Sequence, residues 1–472
     1  MTTRLEELAL RVLLPSFRGP SLPGGWADLL GEGLGGVCLF GSNLTGRVED
    51  VAGLVAAVRG ARADALVGID EEGGDVTRLH VADGSPVLGA AALGAVDDLS
   101  LTEAAGGVVG AELAAVGIDL DLGPVADVNS NAANPVIGTR SFGSSAGVVG
   151  RHVAAWLTGL QAQGVAACVK HFPGHGDTAQ DSHLALPVVE AERSVLDGRE
   201  LLPFLAAVEA GAAAVMTSHI VVPAIDPTLP ATFSRPVLSV LRDDLGFSGA
   251  IVSDALDMAG ASAERGIPEA AVLALAAGCD LLCIGPDKDA SLVREVQAAV
   301  VAAVREGRLP EARLVEAAAR VGAVRRFRGS ALERLAPQPP DASIFTDAAR
   351  QAFLVEGELG DLRGARVVSI GTPANIAVGE GPWGLEPDLL LAPGEPLPEG
   401  PLVVQVRDAH RYPDVTDTLA GLRAPSVVVE WGWPGPRTGW RESGVARICT
   451  RGFSRPAAAA VVRLLGEAGW TR

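Results

Sequence analysis

Residues 164–187 read GVAACVKHFPGHGDTAQDSHLALP, and their character changes partway along. Gly164–Val169 is short and apolar, the pattern of a strand buried on both faces. Lys170 and His171 follow directly, then Gly, Pro and Asp residues with two more histidines, His175 and His183. The stretch from Lys170 to Pro187 holds three of the chain's seven histidines and one of its two lysines, although arginine carries nearly all the positive charge elsewhere. Polar groups that begin where a strand ends mark the place where α/β enzymes put their chemistry.

The same pattern recurs outward in both directions. Short apolar runs occur at Gly36–Phe40, Ala65–Asp70, Ile118–Val125, Val165–His171, Ala213–His219, Ala250–Ala255 and Cys279–Gly285. Ala-rich stretches of helical spacing separate them, such as LTEAAGGVVGAELAAVG and AGVVGRHVAAWLTGLQAQG. Strand–helix alternation of this length implies a parallel sheet. The seven runs approach the eight of a closed (β/α)8 TIM-like barrel. The count favours a barrel over an open sheet, with the eighth strand expected to be too polar to recognise. Most runs end in a polar or charged group: Asp70, Asp127 just beyond its run, Lys170–His171, Ser218–His219 and Asp254.

Two further helices are expected near Asp289–Glu306 and Pro310–Phe327, followed by the Pro-rich break LAPQPPDAS. The predicted division is a catalytic barrel over 1–334, a linker over 335–344 and a smaller α/β C-terminal domain over 345–472. The runs ARVVSI, PLVVQV, SVVVE and ARICT supply its strands, and Trp383, Trp431 and Trp433 are expected to pack rather than to bind a ligand.

Composition narrows the function. The chain has 472 residues, 48% of them hydrophobic, and a net charge of -19. That balance argues against nucleic-acid or anionic-membrane partners, which need a basic footprint. The N-terminal Leu5, Leu8, Leu10 and Val12 have the spacing of a short amphipathic helix interrupted by Glu6 and Glu7, not of a secretory signal. No uninterrupted apolar stretch long enough for a membrane span is apparent. The five cysteines (Cys38, Cys168, Cys279, Cys283 and Cys449) lie in or beside apolar runs and read as buried free thiols in a reducing cytoplasm.

The polar clusters carry alternative readings. His171 and His175 have the spacing of a helical metal pair, but Pro173, Gly174 and Gly176 break a helix there. A loop-borne metal site with Asp177, Asp181 and His183 stays open, although no metal or other cofactor is expected. In the other reading Lys170 and His171 donate to hydroxyls while Asp181 and His183 form an acid/base pair, the carboxylate fixing the imidazole tautomer. Asp254, ending GAIVSD, fits a helix N-cap or a nucleophile facing a barrel mouth, and Asp70 in GIDEEGG has the same ambiguity. Asp70, Arg78, Arg140, Lys170, His171 and His219 together are rich in directional donors and acceptors, the lining that a polyhydroxylated ligand needs.

These motifs together resemble glycoside hydrolase family 3, in its bacterial β-N-acetylglucosaminidase (β-N-acetylhexosaminidase) branch. The resemblance covers most of residues 1–330 through GGVCLFGSNL, GIDEEGGDVTRL, LDLGPVADVN, IGTRSFG, KHFPGHGDTAQDSH, VMTSHIVVP and ATFSRPVLSVLRDDLGFSGAIVSDALDM. It implies Asp254 as the nucleophile, His183 as the acid/base with Asp181 as its partner, and Asp70, Arg78, Arg140, Lys170, His171 and His219 as sugar-binding residues. Glu71, Asp75 and Thr77 depart from the family's usual Gln, Arg and Gln, and Ala255 stands where a second Asp is common.

By the same resemblance the chain is expected to be a retaining exo-β-N-acetylglucosaminidase. It would release terminal β-linked GlcNAc from cell-wall muropeptides or chitooligosaccharides through a covalent glycosyl-aspartate. A histidine proton donor leaves fewer anionic groups near the glycosyl-enzyme, so phosphorolysis is the alternative, as is β-glucosidase activity on the same scaffold. A catalytically dead sugar-binding protein and a metal-dependent hydrolase are the readings from other classes. The expected partner is a small carbohydrate, the expected state a monomer or weak homodimer, and the expected location the cytoplasm.

Overall fold

The computed structural model describes residues 2–178, 186–263, 265–332, 341–373, 375, 377–379, 383–441 and 444–471. The first sheet has eight parallel strands: β1 (Leu13–Pro15), β2 (Gly36–Leu39), β3 (Leu66–Ile69), β4 (Leu120–Asp121), β5 (Ala166–Phe172), β6 (Ala214–Thr217), β7 (Ala250–Ser253) and β8 (Leu281–Gly285). From β2 to β8 each strand pairs with its sequence neighbour, β1 pairs with β8, and β1 and β2 meet in space without pairing, which brings the ring near closure. The eighth strand is therefore Leu13–Pro15. It is apolar rather than too polar, and it follows the helix Arg4–Arg11 so closely that the helical leucine pattern hides it.

Side chains alternate across a strand, and this period explains the barrel interior. Leu66, Leu120, Ala166, Cys168, Ala214, Met216, Ala250, Val252 and Leu281 form one buried cluster inside the ring. Continuing the same register by two residues reaches Asp70 from Leu66 and Gly68, Lys170 from Cys168, and Asp254 from Val252. The sites thus sit one step above the packed layer. The helix Glu311–Leu332 closes the opposite end, with Val321 and Val324 joining the interior cluster. Its Arg313 and Arg320 pair with Asp280, which directly precedes β8, and its Arg325 donates to the Gly35 carbonyl, which directly precedes β2.

Helices cover the outside of the ring. Leu99–Val116 is the one described helix long and apolar enough to cross a membrane, yet half of its apolar window is buried inside the molecule, where it packs along Ala146–Ala162. Glycine makes the approach close enough. A Cβ on Gly106 would lie 2.1 Å from the Trp156 carbonyl oxygen, and one on Gly159 would lie 1.9 Å from that of Glu103.

The second sheet contains β9 (Leu354–Glu356), β10 (Arg366–Ile370), β11 (Leu389–Leu391), β12 (Leu402–Val406), β13 (Val427–Glu430) and β14 (Ala446–Cys449). Its order is β9–β14–β13–β12–β10–β11, all parallel except β9 at one edge. The strand order reverses between β10 and β12, as in doubly wound folds. The helix Ser343–Ala352 starts inside the stretch expected to be a linker and packs on the last helix, Arg455–Glu467, and on the barrel helix Ala90–Val96. Phe345, Val403, Trp431 and Phe453 share one continuous buried cluster with the barrel's outer layer.

Candidate active site

A cavity of about 860 Å³ opens at the carboxyl ends of the barrel strands. Asp70, Arg78, Arg140, Lys170, His171 and Asp254 all line it, so the structure brings together six of the residues singled out from the sequence. A register shift between Val169 and Phe172 in β5 lets both Lys170 and His171 reach the wall.

The densest part of the wall is an ion-pair network. Lys170 Nζ lies 2.6 Å from Asp70 Oδ1 and 2.7 Å from Glu72 Oε1. Arg140 donates two parallel bonds to Glu72, from Nη2 at 2.7 Å and from Nε at 2.9 Å. Burial alone would lower the Lys170 pKa, but the facing Asp70 and Glu72 carboxylates more than offset it and hold the ammonium charged. Burial would likewise protonate Glu72, but Arg140 and Lys170 keep its carboxyl well below the usual range. Glu72 therefore sets the positions of both cations. Nothing in the sequence singles out Glu72, and its neighbour Glu71 stands out only as a departure from the family's usual Gln. Glu71 accepts from the backbone of Arg78 and Leu79, and burial raises its pKa.

His171 is oriented from behind. Its Nδ1 lies 2.7 Å from Asp127 Oδ2, so Nδ1 carries the proton, and Arg140 Nη2 approaches Nε2 at 3.4 Å. The other oxygen of Asp127 accepts from the His175 backbone N–H at 2.7 Å. Burial would raise the Asp127 pKa, but His171 and its other donors hold it below the ordinary value. Asp127 was visible as a strand end; its partnership with His171 was not. His175 also lines the cavity. Its Nδ1 meets Thr178 Oγ1 at 2.9 Å, its Nε2 has no hydrogen-bond partner among the described residues, and burial depresses its pKa to about 4. His171 and His175 therefore use their ring nitrogens separately, and their rings pack edge to face 6.2 Å apart.

Across the cavity stands Asp254, half-buried, with Oδ1 accepting from the Ala255 backbone N–H at 2.8 Å. Asp257 is paired with Lys288 at 2.7 Å. His219 corrects the reading from sequence. Its side chain is fully buried and outside the cavity wall, with Nδ1 2.9 Å from Thr232 Oγ1 and Nε2 donating to the Ala255 carbonyl at 3.0 Å. It braces the turn that carries Asp254 instead of touching a ligand.

Asp181 and His183 lie outside the described residues. The segment leading to them is firmly held: Asn134 donates to the His175 carbonyl at 2.9 Å, and Asp177 pairs with Arg199 at 2.7 Å. A Cβ on Gly176 would lie 1.8 Å from the Val128 carbonyl oxygen, so only glycine fits that crossing. Beneath Gly174 lies Glu200, whose pKa burial raises to about 7 and whose Oε2 has no hydrogen-bond partner among the described residues.

The second domain reaches the cavity too, through Ala377, Val378 and Gly379. None of the tryptophans lines it; Trp431 is fully buried and donates to Gln405 at 3.2 Å. Chemically, the site offers fixed cations and carboxylates that can bind several hydroxyls at once, facing a carboxylate that can attack an electrophilic carbon.

The model of the glycosyl hydrolase family 3 N-terminal domain matches residues 26–324. A beta-hexosaminidase of Methylococcus capsulatus is 38% identical over 56% of this chain and 79% of its own length. One from Neisseria meningitidis serogroup C is 41% identical over 55% of this chain and 74% of its own. Among solved structures, a glycoside hydrolase family 3 beta-N-acetylglucosaminidase from Paenibacillus sp. FPU-7 superposes with a TM-score of 0.86 at 28% identity, covering 99% of this chain and 97% of that one. A beta-N-acetylhexosaminidase from Beutenbergia cavernae gives 0.62 at 32% identity, covering 68% of this chain and 98% of its own.

Proposed function

This chain belongs to glycosyl hydrolase family 3 and is a glycoside hydrolase, and from that premise we propose that it removes terminal β-linked N-acetylglucosamine with retention of configuration. The names of its relatives support the sugar. The observation that carries the reading is the Asp70–Lys170–Glu72–Arg140 network facing Asp254 across one cavity. The network holds the glycone's hydroxyls, and Asp254 attacks its anomeric carbon.

In the first step the Asp254 carboxylate forms a bond to C1 as the C1–O bond to the leaving group breaks, and His183 gives that oxygen its proton. In the second, water attacks C1, His183 takes the water's proton, and the Asp254 ester is released. Asp181 stabilises the imidazolium that gives its proton in the first step and is regenerated in the second. Cell-wall muropeptides or chitooligosaccharides are the proposed sources of the sugar, and the five buried free thiols support action in a reducing cytoplasm.

The test is to trap the enzyme with a 2-deoxy-2-fluoro or 5-fluoro glycoside and map the labelled peptide. Label on Asp254 is expected; label on Asp70 or Asp257 would overturn the assignment. Turnover of p-nitrophenyl β-GlcNAc with and without phosphate is expected to give free GlcNAc in both cases. Sugar 1-phosphate as the main product would replace the hydrolase by a phosphorylase.

A further inference from the structure

The second sheet presents its carboxyl edge to the barrel mouth at the point where its strand order reverses, the crevice in which doubly wound domains ordinarily hold a ligand. Arg407, the residue after β12, lies 3.0 Å from Asp75 of the barrel, with side-chain exposures of 9% and 4%. Asp75 also accepts from the Phe453 backbone N–H at 2.8 Å and from Thr139. In the loop after β10, Asn375 donates to the carbonyls of Pro135 and Val136 at 3.0 and 2.9 Å. The Ala377 carbonyl accepts from Arg78 Nη2 at 2.9 Å. The crevice is thus turned onto the barrel, and Ala377–Gly379 becomes a wall of the catalytic cavity.

The ring order tells which wall. Arg78 follows β3 and Asp254 follows β7, four strands apart in a ring of eight, so they face each other across the mouth. If Asp254 attacks C1, as proposed above, groups beside Arg78 meet the opposite edge of the pyranose. That edge bears O3 and O4, where any further sugar on the non-reducing side is attached. We propose that the second domain is a specificity element: the Ala377–Gly379 segment, positioned by Asn375 and the Asp75–Arg407 pair, blocks the space beyond the non-reducing end of the bound sugar. This inference rests on the glycosidase reading, and it assigns to 345–472 a role in limiting the substrate to a terminal residue.

The experiment compares two aryl glycosides on the full chain, p-nitrophenyl β-GlcNAc and p-nitrophenyl β-chitobioside, scoring direct one-step release of intact chitobiose. Asn375→Ala loosens the segment, and Val378→Gly lowers the wall itself. Each is expected to raise direct chitobioside cleavage relative to GlcNAc cleavage by about tenfold or more, the scale of steric discrimination in a pocket. A merely structural role would lower both rates together and leave the ratio alone. An unchanged ratio in both variants, with the aryl GlcNAc still turned over, would overturn the proposal. Wild-type chain inactive on the aryl GlcNAc would instead sink the underlying function.

Discussion

Replacing Glu72 by Gln removes one charge and leaves almost the same shape, so it isolates the electrostatic part of the site. Glu72 Oε1 accepts from both Lys170 Nζ and Arg140 Nη2, and Oε2 accepts from Arg140 Nε. An amide satisfies the first oxygen's donors but turns an N–H toward Arg140 Nε at the second, donor against donor. Breaking a buried ion pair from one side is destabilising by about 3–5 kcal/mol, which corresponds to a Tm lower by roughly 5–10 °C for a domain of this size. The Glu72 pKa is depressed in the folded chain, so its stabilisation is fully present above the unfolded carboxylate value and is lost as pH falls toward the folded one. The Tm difference between wild type and Glu72→Gln is therefore full at pH 7 and narrows below about pH 4.3. Arg140 and Lys170 lose their orientation in the variant, and kcat/KM is expected to fall by about ten- to a hundredfold. Scanning calorimetry across pH with parallel aryl-glycoside kinetics decides the matter. A variant with wild-type Tm at pH 7, or with a difference that does not change in acid, would refute the network's role.

Gly106→Ala puts a methyl 2.1 Å from the Trp156 carbonyl, so the helices Leu99–Val116 and Ala146–Ala162 must separate. A loss of about 1–3 kcal/mol is expected in denaturant titration, whereas Gly60→Ala, with open space around it, should not lose stability. Burial raises the Glu200 pKa to about 7, so the folded state binds the extra proton and stability declines as pH rises from the unfolded carboxylate value toward 7. Glu200→Gln should therefore raise Tm relative to wild type at pH 8 more than at pH 5, and equal shifts at both would rule that out. His183→Ala is expected to slow substrates with poor leaving groups far more than activated aryl glycosides, and equal losses on both would remove it as proton donor.

Most of the barrel was legible because buried parallel strands read as apolar runs ending in polar groups. The exceptions have specific causes. β1 is three residues fused to a helix, and β9 (LVE) and β11 (LLL) are three-residue strands at exposed or half-buried positions, too short to stand out as strands. The run Ile118–Val125 yields only Leu120–Asp121 as strand, ahead of the cis Gly123–Pro124 bond. Asp70, Lys170 and Asp254 could be picked out because each is the polar residue that ends a run. Glu72 could not, and Asp127 showed only as a strand end, because their partners Arg140 and His171 lie 68 and 44 positions away and only folding brings them together. Asp75 looked like a mere departure from a motif, yet it anchors the second domain, with Phe453 378 positions away. His219 followed a run like the others, but its register carries it behind the wall.

The alternation that lifts Asp70, Lys170 and Asp254 into the mouth also determines how this gene can change length. A single residue inserted between Ala166 and Lys170 would swing the ammonium out among the helices, leaving Asp70 without its cation and Glu72 with Arg140 alone. Two residues would restore the facing but raise the ammonium by about 6–7 Å, out of reach of both carboxylates. Insertions and deletions compatible with activity therefore belong to the connecting loops and helices, and the strands themselves are fixed in count.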